Sequence, residues 1–293
     1  MKQQTRRHTI QAFAALLTNP KLSGFFTGRI WQGASKQVCV PGLNCYSCPA
    51  AVGACPLGAL QNALATRGRH FSLYALGFIL AFGALFGRLI CGFLCPFGFL
   101  QDLLYKIKSP KPKVPKRLDK ALRWNKYILL VGLVILAPIF LTDAYGLGAP
   151  WFCKLVCPAG TLEGGIPILL HNETLRATLG WLFSWKMLVL VSVLAGSVLL
   201  YRPFCKYLCP LGAMYGMCNR CSAYRMEIDA HKCTRCGACS RACPMGVDVM
   251  NVPNSAECIR CGVCREKCPT GALTAGFCQG GCAVNRKNKT QTM

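Results

Sequence analysis

Acidic residues are scarce in this chain of 293: ten Asp and Glu stand against 34 Lys and Arg, for a formal net charge of +24. Histidine is scarcer still, with His8, His70, His171 and His231 the whole complement, and none stands at a readable spacing from a carboxylate. Acid–base or nucleophilic catalysis has no constellation to rest on, and no catalytic residue is expected. No Cys-x2-Cys-His sequence occurs, which removes covalent haem attachment. No nucleic-acid-binding motif accompanies the positive charge. Charged residues make up only 15% of the chain, 53% is hydrophobic and the mean hydropathy is +0.35, values that predict a membrane protein.

What the chain has in excess is cysteine, 22 in all. Cys233-x2-Cys236-x2-Cys239-x3-Cys243-Pro244 is followed by Cys258-x2-Cys261-x2-Cys264-x3-Cys268-Pro269. Doubled runs of this kind are the bacterial-type ferredoxin signature, in which the fourth cysteine of each run reaches across to the other cluster. The expected sets are therefore Cys233, Cys236, Cys239 and Cys268 for one [4Fe-4S] cluster, and Cys258, Cys261, Cys264 and Cys243 for the second. Structural zinc and disulfides are the competing uses of Cys-x2-Cys pairs; the doubled, proline-closed spacing disfavours zinc, and a chain that reads as membrane-embedded, not as a small secreted domain, disfavours disulfides.

Four segments are expected to span a membrane: 8–30, interrupted by Pro20 and alternatively lying in the interface, then 71–90, 127–141 and 181–201. Arg6-Arg7 lacks the long apolar run and cleavage site of a twin-arginine signal. Between Lys106 and Lys126 nine basic residues face one acidic residue, Asp119, so that loop is expected to be cytoplasmic, as is the ferredoxin part. Arg88 and Asp143 read as charges at the membrane boundary. The predicted architecture is a membrane all-α domain of about four spans over 1–216, a small α+β 2[4Fe-4S] ferredoxin domain over 217–275 and a polar tail over 276–293.

Fourteen cysteines remain after the eight ferredoxin ligands. Cys91, Cys153 and Cys205 each open a Cys-x3-Cys-Pro-x-Gly repeat, with Cys95, Cys157 and Cys209 as second thiols. Residues at i and i+4 share one face of a helical turn, and the following proline puts the pair at a helix end or break. The predicted topology brings Cys91, Cys95, Cys205 and Cys209 together on the cytoplasmic side as a third cluster site. A fourth, on the outer side, would draw four ligands from Cys39, Cys45, Cys48, Cys55, Cys153 and Cys157, with paired disulfides as the alternative use of the 39–56 loop. Such an arrangement would be a wire across the membrane. Cys218, Cys221, Cys278 and Cys282 form two further pairs that could join as an extra metal site.

The paired Cys91-x3-Cys95-Pro96 and Cys205-x3-Cys209-Pro210, leading into the doubled ferredoxin run, resemble the polytopic membrane iron–sulfur proteins of the NapH and NosR type over roughly residues 71–275. The stretch Cys39-Val40-Pro41-Gly42-Leu43-Asn44-Cys45-Tyr46-Ser47-Cys48-Pro49 is similar to a subgroup of such polyferredoxins from anaerobes. The resemblance implies a multi-pass protein of the cytoplasmic membrane that transfers electrons between a cytoplasmic donor or quinol pool and a partner at or across the membrane. Partners so implied are the lipid membrane, a ferredoxin, flavodoxin or flavoprotein, a reductase subunit and menaquinol, the last making it a component of a quinol dehydrogenase. A factor that keeps a metal or thiol centre of another enzyme reduced is the alternative role. The Lys106–Lys126 loop with Arg235, Arg241, Arg260 and Arg265 could steer an acidic donor.

Overall fold

A computed structural model describes residues 2–66, 73–112, 114–143 and 148–277. The chain is helical up to Cys218 and ends in a small unit built on a two-stranded antiparallel sheet, Tyr224–Ile228 against Leu273–Phe277, with Tyr224 opposite Phe277 and Ile228 opposite Leu273. Two short helices, Ala238–Arg241 and Val263–Glu266, lie between the strands and follow the second cysteine of each ferredoxin run.

Two helices are long and apolar enough to cross a membrane, Lys116–Phe140 with 25 residues and Trp181–Leu199 with 19. They cover residues 127–140 and 181–199 of the expected 127–141 and 181–201 segments. The other two expected spans take different forms among the described residues. Residues 8–30 fold as a helix over Lys2–Thr18, then turn at Pro20 and form only one further turn, Ser23–Thr27. The first helix buries Arg7, Gln11 and Ala14 while Phe13, Leu16 and Leu17 stay exposed. Of the 71–90 segment, residues 71 and 72 lie outside the described residues, and the apolar helix covers Tyr74–Phe86 alone. Thirteen residues rise about 20 Å, short of the roughly 30 Å of a bilayer core.

That helix stops at Gly87, whose φ of 54° and ψ of −137° suit glycine alone. A Cβ there would sit 2.6 Å from Asn219 Oδ1 and 3.0 Å from Arg260 Nη1. The chain is thereby redirected into the Leu89–Phe93 turn, and Arg88 is driven into the interior. The sequence reading of Arg88 as a boundary charge is corrected here: its side chain is fully buried and joins the helical part to the ferredoxin part. It donates to Glu257 Oε2 and to the Ala256 carbonyl, both at 2.7 Å, and to the Cys205 carbonyl at 2.6 Å. Lys126, from the long helix, pairs with the other oxygen of Glu257. Arg260 seals the same seam, donating to the carbonyls of Phe86 and Asn219 and to Ser222 Oγ.

Candidate functional site: four cavities lined by cysteine

The unit from which the helical sites are built is Cys-Pro-x-Gly. At Cys95, Cys209 and Cys55 the cysteine is the N-cap of a helix, with extended backbone, and the proline is the first helical residue, where its missing N–H costs nothing. The glycine amide two residues further on turns back to the thiol: Gly98 N donates to Cys95 Sγ at 3.4 Å and Gly212 N to Cys209 Sγ at 3.3 Å. The Gly58 and Gly160 amides act in the same direction on the thiols of Cys55 and Cys157. An amide hydrogen bond to the sulfur, as at Cys95 and Cys209, favours negative charge on it.

The Cys95 and Cys209 ends face one another across an inner cavity lined by Cys91, Cys95, Cys205 and Cys209, with about 330 Å³ of space between the atoms. Cys205 sits in a widened helical turn, Phe204–Leu208, and its sulfur is held by Gln101 Nε2 at 3.2 Å, while Gln101 Oε1 accepts from Phe204 N. The outer cavity repeats this arrangement. Gln61 Nε2 donates to Cys153 Sγ at 3.3 Å, and Gln61 Oε1 accepts from Phe152 N at 3.0 Å. Cys45, Cys55, Cys153 and Cys157 line it, and it is more open, at about 1220 Å³.

Gln61 and Gln101 went unread in the sequence, as did the signal that marks them. Both stand six residues after the cysteine of a Cys-Pro-x-Gly unit, and the other two such units of the helical part place Glu163 and Tyr215 at the same offset. Those two clamp as well: Glu163 Oε2 accepts from Cys45 N at 2.9 Å, and Tyr215 Oη donates to the Pro41 carbonyl at 3.0 Å. Burial raises the Glu163 carboxyl to about 7 against the pull of the Cys45 amide. The half repeat at Cys55 had been missed because Ala51 occupies the place of its first cysteine, which the loop replaces with Cys45.

In the C-terminal unit, Cys233, Cys236, Cys239 and Cys268 line one cavity of about 360 Å³, and Cys243, Cys258, Cys261 and Cys264 line a second of about 300 Å³. Arg235 and Gly237 in the first run and Arg260 and Gly262 in the second all have positive φ, which curls each Cys-x2-Cys loop around its cavity.

The four cavities are contiguous. Leu43 lines both the outer and the inner one, so the two sites are neighbours, although the expected topology set them on opposite faces of the membrane. Gly42 makes this approach possible, because a Cβ on it would lie 3.0 Å from Cys95 Cα. Gly92, beside Cys91, meets the carbonyl of Ile259, which lines the next cavity; a Cβ at Gly92 would be 2.4 Å from that oxygen. Val249 and Met250 then line one ferredoxin cavity each.

The remaining cysteines stand apart from these linings. Cys39 is buried through a parallel bridge with Ala54, and Cys48 turns its thiol toward Asn19 Oδ1 at 3.8 Å. Cys218 and Cys221 close a turn at the end of the Pro210–Cys218 helix, and Cys278 and Cys282 lie outside the described residues.

Two properties of the cavities fit an iron–sulfur cluster. Each is lined by four thiols that surround a space. The surroundings also carry uncompensated positive charge. Arg7, Arg88, Lys126 and Arg202 are all buried at 2% exposure or less, against two buried carboxylates, Asp102 and Glu257. Asp102 binds Arg7 at 2.9 Å and Arg202 at 2.5 Å, and Arg202 also donates to the Cys91 carbonyl. Buried charge of one sign calls for its opposite nearby. Four thiolates around an iron–sulfur core supply it. Without metal, burial pushes the thiols of Cys45 and Cys264 up to about 12 and Cys258 to about 11, so thiolates form there together with metal binding.

A 4Fe-4S binding domain model matches residues 69–115, 128–166 and 178–225, and a 4Fe-4S dicluster domain model matches residues 225–269. An uncharacterized protein of Methanocaldococcus jannaschii is 29% identical over 205 residues, 68% of each chain. The methylamine utilization ferredoxin-type protein MauN of Paracoccus denitrificans is 28% identical over 242 residues, 80% of this chain and 72% of that one. The putative electron transport protein YccM of Escherichia coli is 29% identical over 168 residues, 55% of this chain and 43% of its own length. No solved structure matches. Three binding-domain matches that each enclose one Cys-x3-Cys-Pro repeat, followed by a dicluster domain, show an iron–sulfur protein built of ferredoxin-type 4Fe-4S domains, homologous over part of its length to MauN, YccM and NosR.

Proposed function

We propose that the chain is a membrane-bound electron conductor holding four [4Fe-4S] clusters, one per cavity, between a donor on the cytoplasmic ferredoxin side and an acceptor reached from the outer cavity. The ligands are Cys233, Cys236, Cys239 and Cys268; Cys243, Cys258, Cys261 and Cys264; Cys91, Cys95, Cys205 and Cys209; and Cys45, Cys55, Cys153 and Cys157. Bound clusters of this type supply one-electron transfer, with potentials set by local charge, hydrogen bonds to sulfur and exposure. The protein's part is spacing and electrostatics. Leu43, the Gly92–Ile259 contact and Val249–Met250 keep successive sites one residue layer apart. Gln61 and Gln101 fix one thiolate each in the helical sites. The donor is a ferredoxin, flavodoxin, flavoprotein or the quinol pool, and the acceptor a reductase subunit or other partner at the membrane.

The observation that carries this reading is Leu43, shared by the outer and inner linings, which turns separate metal sites into one series. The test is an anaerobic titration of the full-length protein with a reduced carrier, followed by EPR in wild type and in Cys205→Ser and Cys45→Ser variants. Signals that each variant removes selectively, and that the carrier fills in wild type, support it. Reduction confined to signals that neither variant alters would contradict it.

A further inference from the structure

Of the basic residues that the sequence offered for steering a partner, the structure commits several to internal work. Arg260 is buried in the seam, Lys126 pairs with Glu257, and Arg123 grips Asp119, which Lys206 from outside that set also holds, and donates to the Met245 carbonyl at 2.9 Å. What remains is concentrated in one place. An open groove of about 1280 Å³ runs between the start of the Lys116–Phe140 helix and the first ferredoxin run, lined by Lys116, Lys120, Arg123 and Arg241 with Asp119 and Asp248. Both carboxylates are already engaged: Asp119 by Arg123, Lys206 and Tyr207, and Asp248 by Ser240 and Asn251 at 3.1 and 2.6 Å. The side chains of Lys116, Lys120 and Arg241 are exposed and make no ion pair or hydrogen bond among the described residues. The groove presents three free cations and no free anion.

Its position gives those charges a use. Gly237 lines both the groove and the cavity of Cys233, Cys236, Cys239 and Cys268, and Arg241 lies over Gly237, where a Cβ would meet its Nη1 at 2.9 Å. A body seated in the groove is separated from those thiols by one thickness of backbone. This cavity also ends the series, at the opposite extreme from the outer site.

We infer that the groove is the docking site of a small acidic electron-carrier protein, held by Lys116, Lys120 and Arg241, and that electrons enter or leave the chain at the Cys233–Cys268 cavity. The inference rests on the reading of that cavity as a cluster site. Charge complementarity selects the partner: fixed cations around an open concavity attract an acidic surface, and the attraction weakens as salt rises.

The test is calorimetric titration of full-length protein in neutral detergent with an oxidised acidic 2[4Fe-4S] ferredoxin, at low and high ionic strength, with iron counted on the same samples. Wild type should bind with an affinity that falls steeply with salt. The variant K116E/K120E/R241E should bind about tenfold or more weakly with its iron unchanged, and the charge-matched R29E/K111E/R220E should bind as wild type does. Equal weakening by both variants, unchanged binding by the first, or binding to anionic-lipid vesicles with none to the ferredoxin, would overturn the docking site. A low iron count in wild type would instead sink the cluster reading, so the two failures are told apart.

Discussion

Around the inner cavity, Arg88 and Arg202 lie fully buried and both donate to carbonyls of lining cysteines, Cys205 and Cys91. Around the outer cavity the buried cation is Lys36, which is spent on the Cys48 carbonyl, and the half-buried carboxyl of Glu163 stands against Cys45. The two sites otherwise share one design: a Cys-Pro-x-Gly helix start, and a glutamine six residues on that clamps the opposite thiol and the amide before it. The same scaffold is thus set in two electrostatic surroundings. Guanidinium charge favours the more negative, reduced state, so the inner site should be the easier of the two to reduce. The outer site, open and less cationic, is suited to handing electrons on.

The comparison breaks first at the thiols. Cys205→Ser should remove the inner cluster and Cys45→Ser the outer one, each taking about a quarter of the iron, whereas Cys39→Ser and Cys48→Ser should leave the iron count unchanged. Metal analysis with EPR on purified variants reads both halves of this expectation. Next comes the buried seam beside the inner site. Glu257→Leu strips the partner from both Arg88 and Lys126 and should cost about 3–5 kcal/mol in unfolding, with earlier loss of iron on heating.

A smaller effect is expected at Gly92, where Gly92→Ala drives a methyl group into the Ile259 carbonyl and should cost about 1–3 kcal/mol, read as a lowered unfolding midpoint in denaturant. The finest test concerns the clamps. Gln101→Leu leaves Phe204 N without its acceptor, at about 1–3 kcal/mol, and should lower the inner midpoint potential while leaving the outer one in place. Gln61→Leu should do the reverse, and redox titration separates the two. Equal shifts at both sites in either variant would contradict the paired design.

Legibility in the sequence followed distance along the chain. The two ferredoxin linings are readable because each run is local and its spacing follows from how three thiols wrap one space. The inner quartet was readable once two Cys-x3-Cys-Pro repeats could be matched, although their cysteines are more than a hundred residues apart. Which four of six cysteines line the outer cavity was not readable, since it depends on a bridge between Cys39 and Ala54 and on Asn19 lying beside Cys48. Arg88 was misread because its partner, Glu257, is 169 residues away. The 71–90 segment looked long enough to span, and the backbone turn at Gly87, set by packing against Asn219 and Arg260, shortens its helix.

The central claim is that the helical cysteines form two cluster sites in series with the ferredoxin pair. Counting iron and acid-labile sulfide per chain in anaerobically purified, full-length protein tests it most directly. Four cubane sites predict about sixteen iron atoms with as many sulfides, and about eight would leave the helical cavities without clusters and contradict the account.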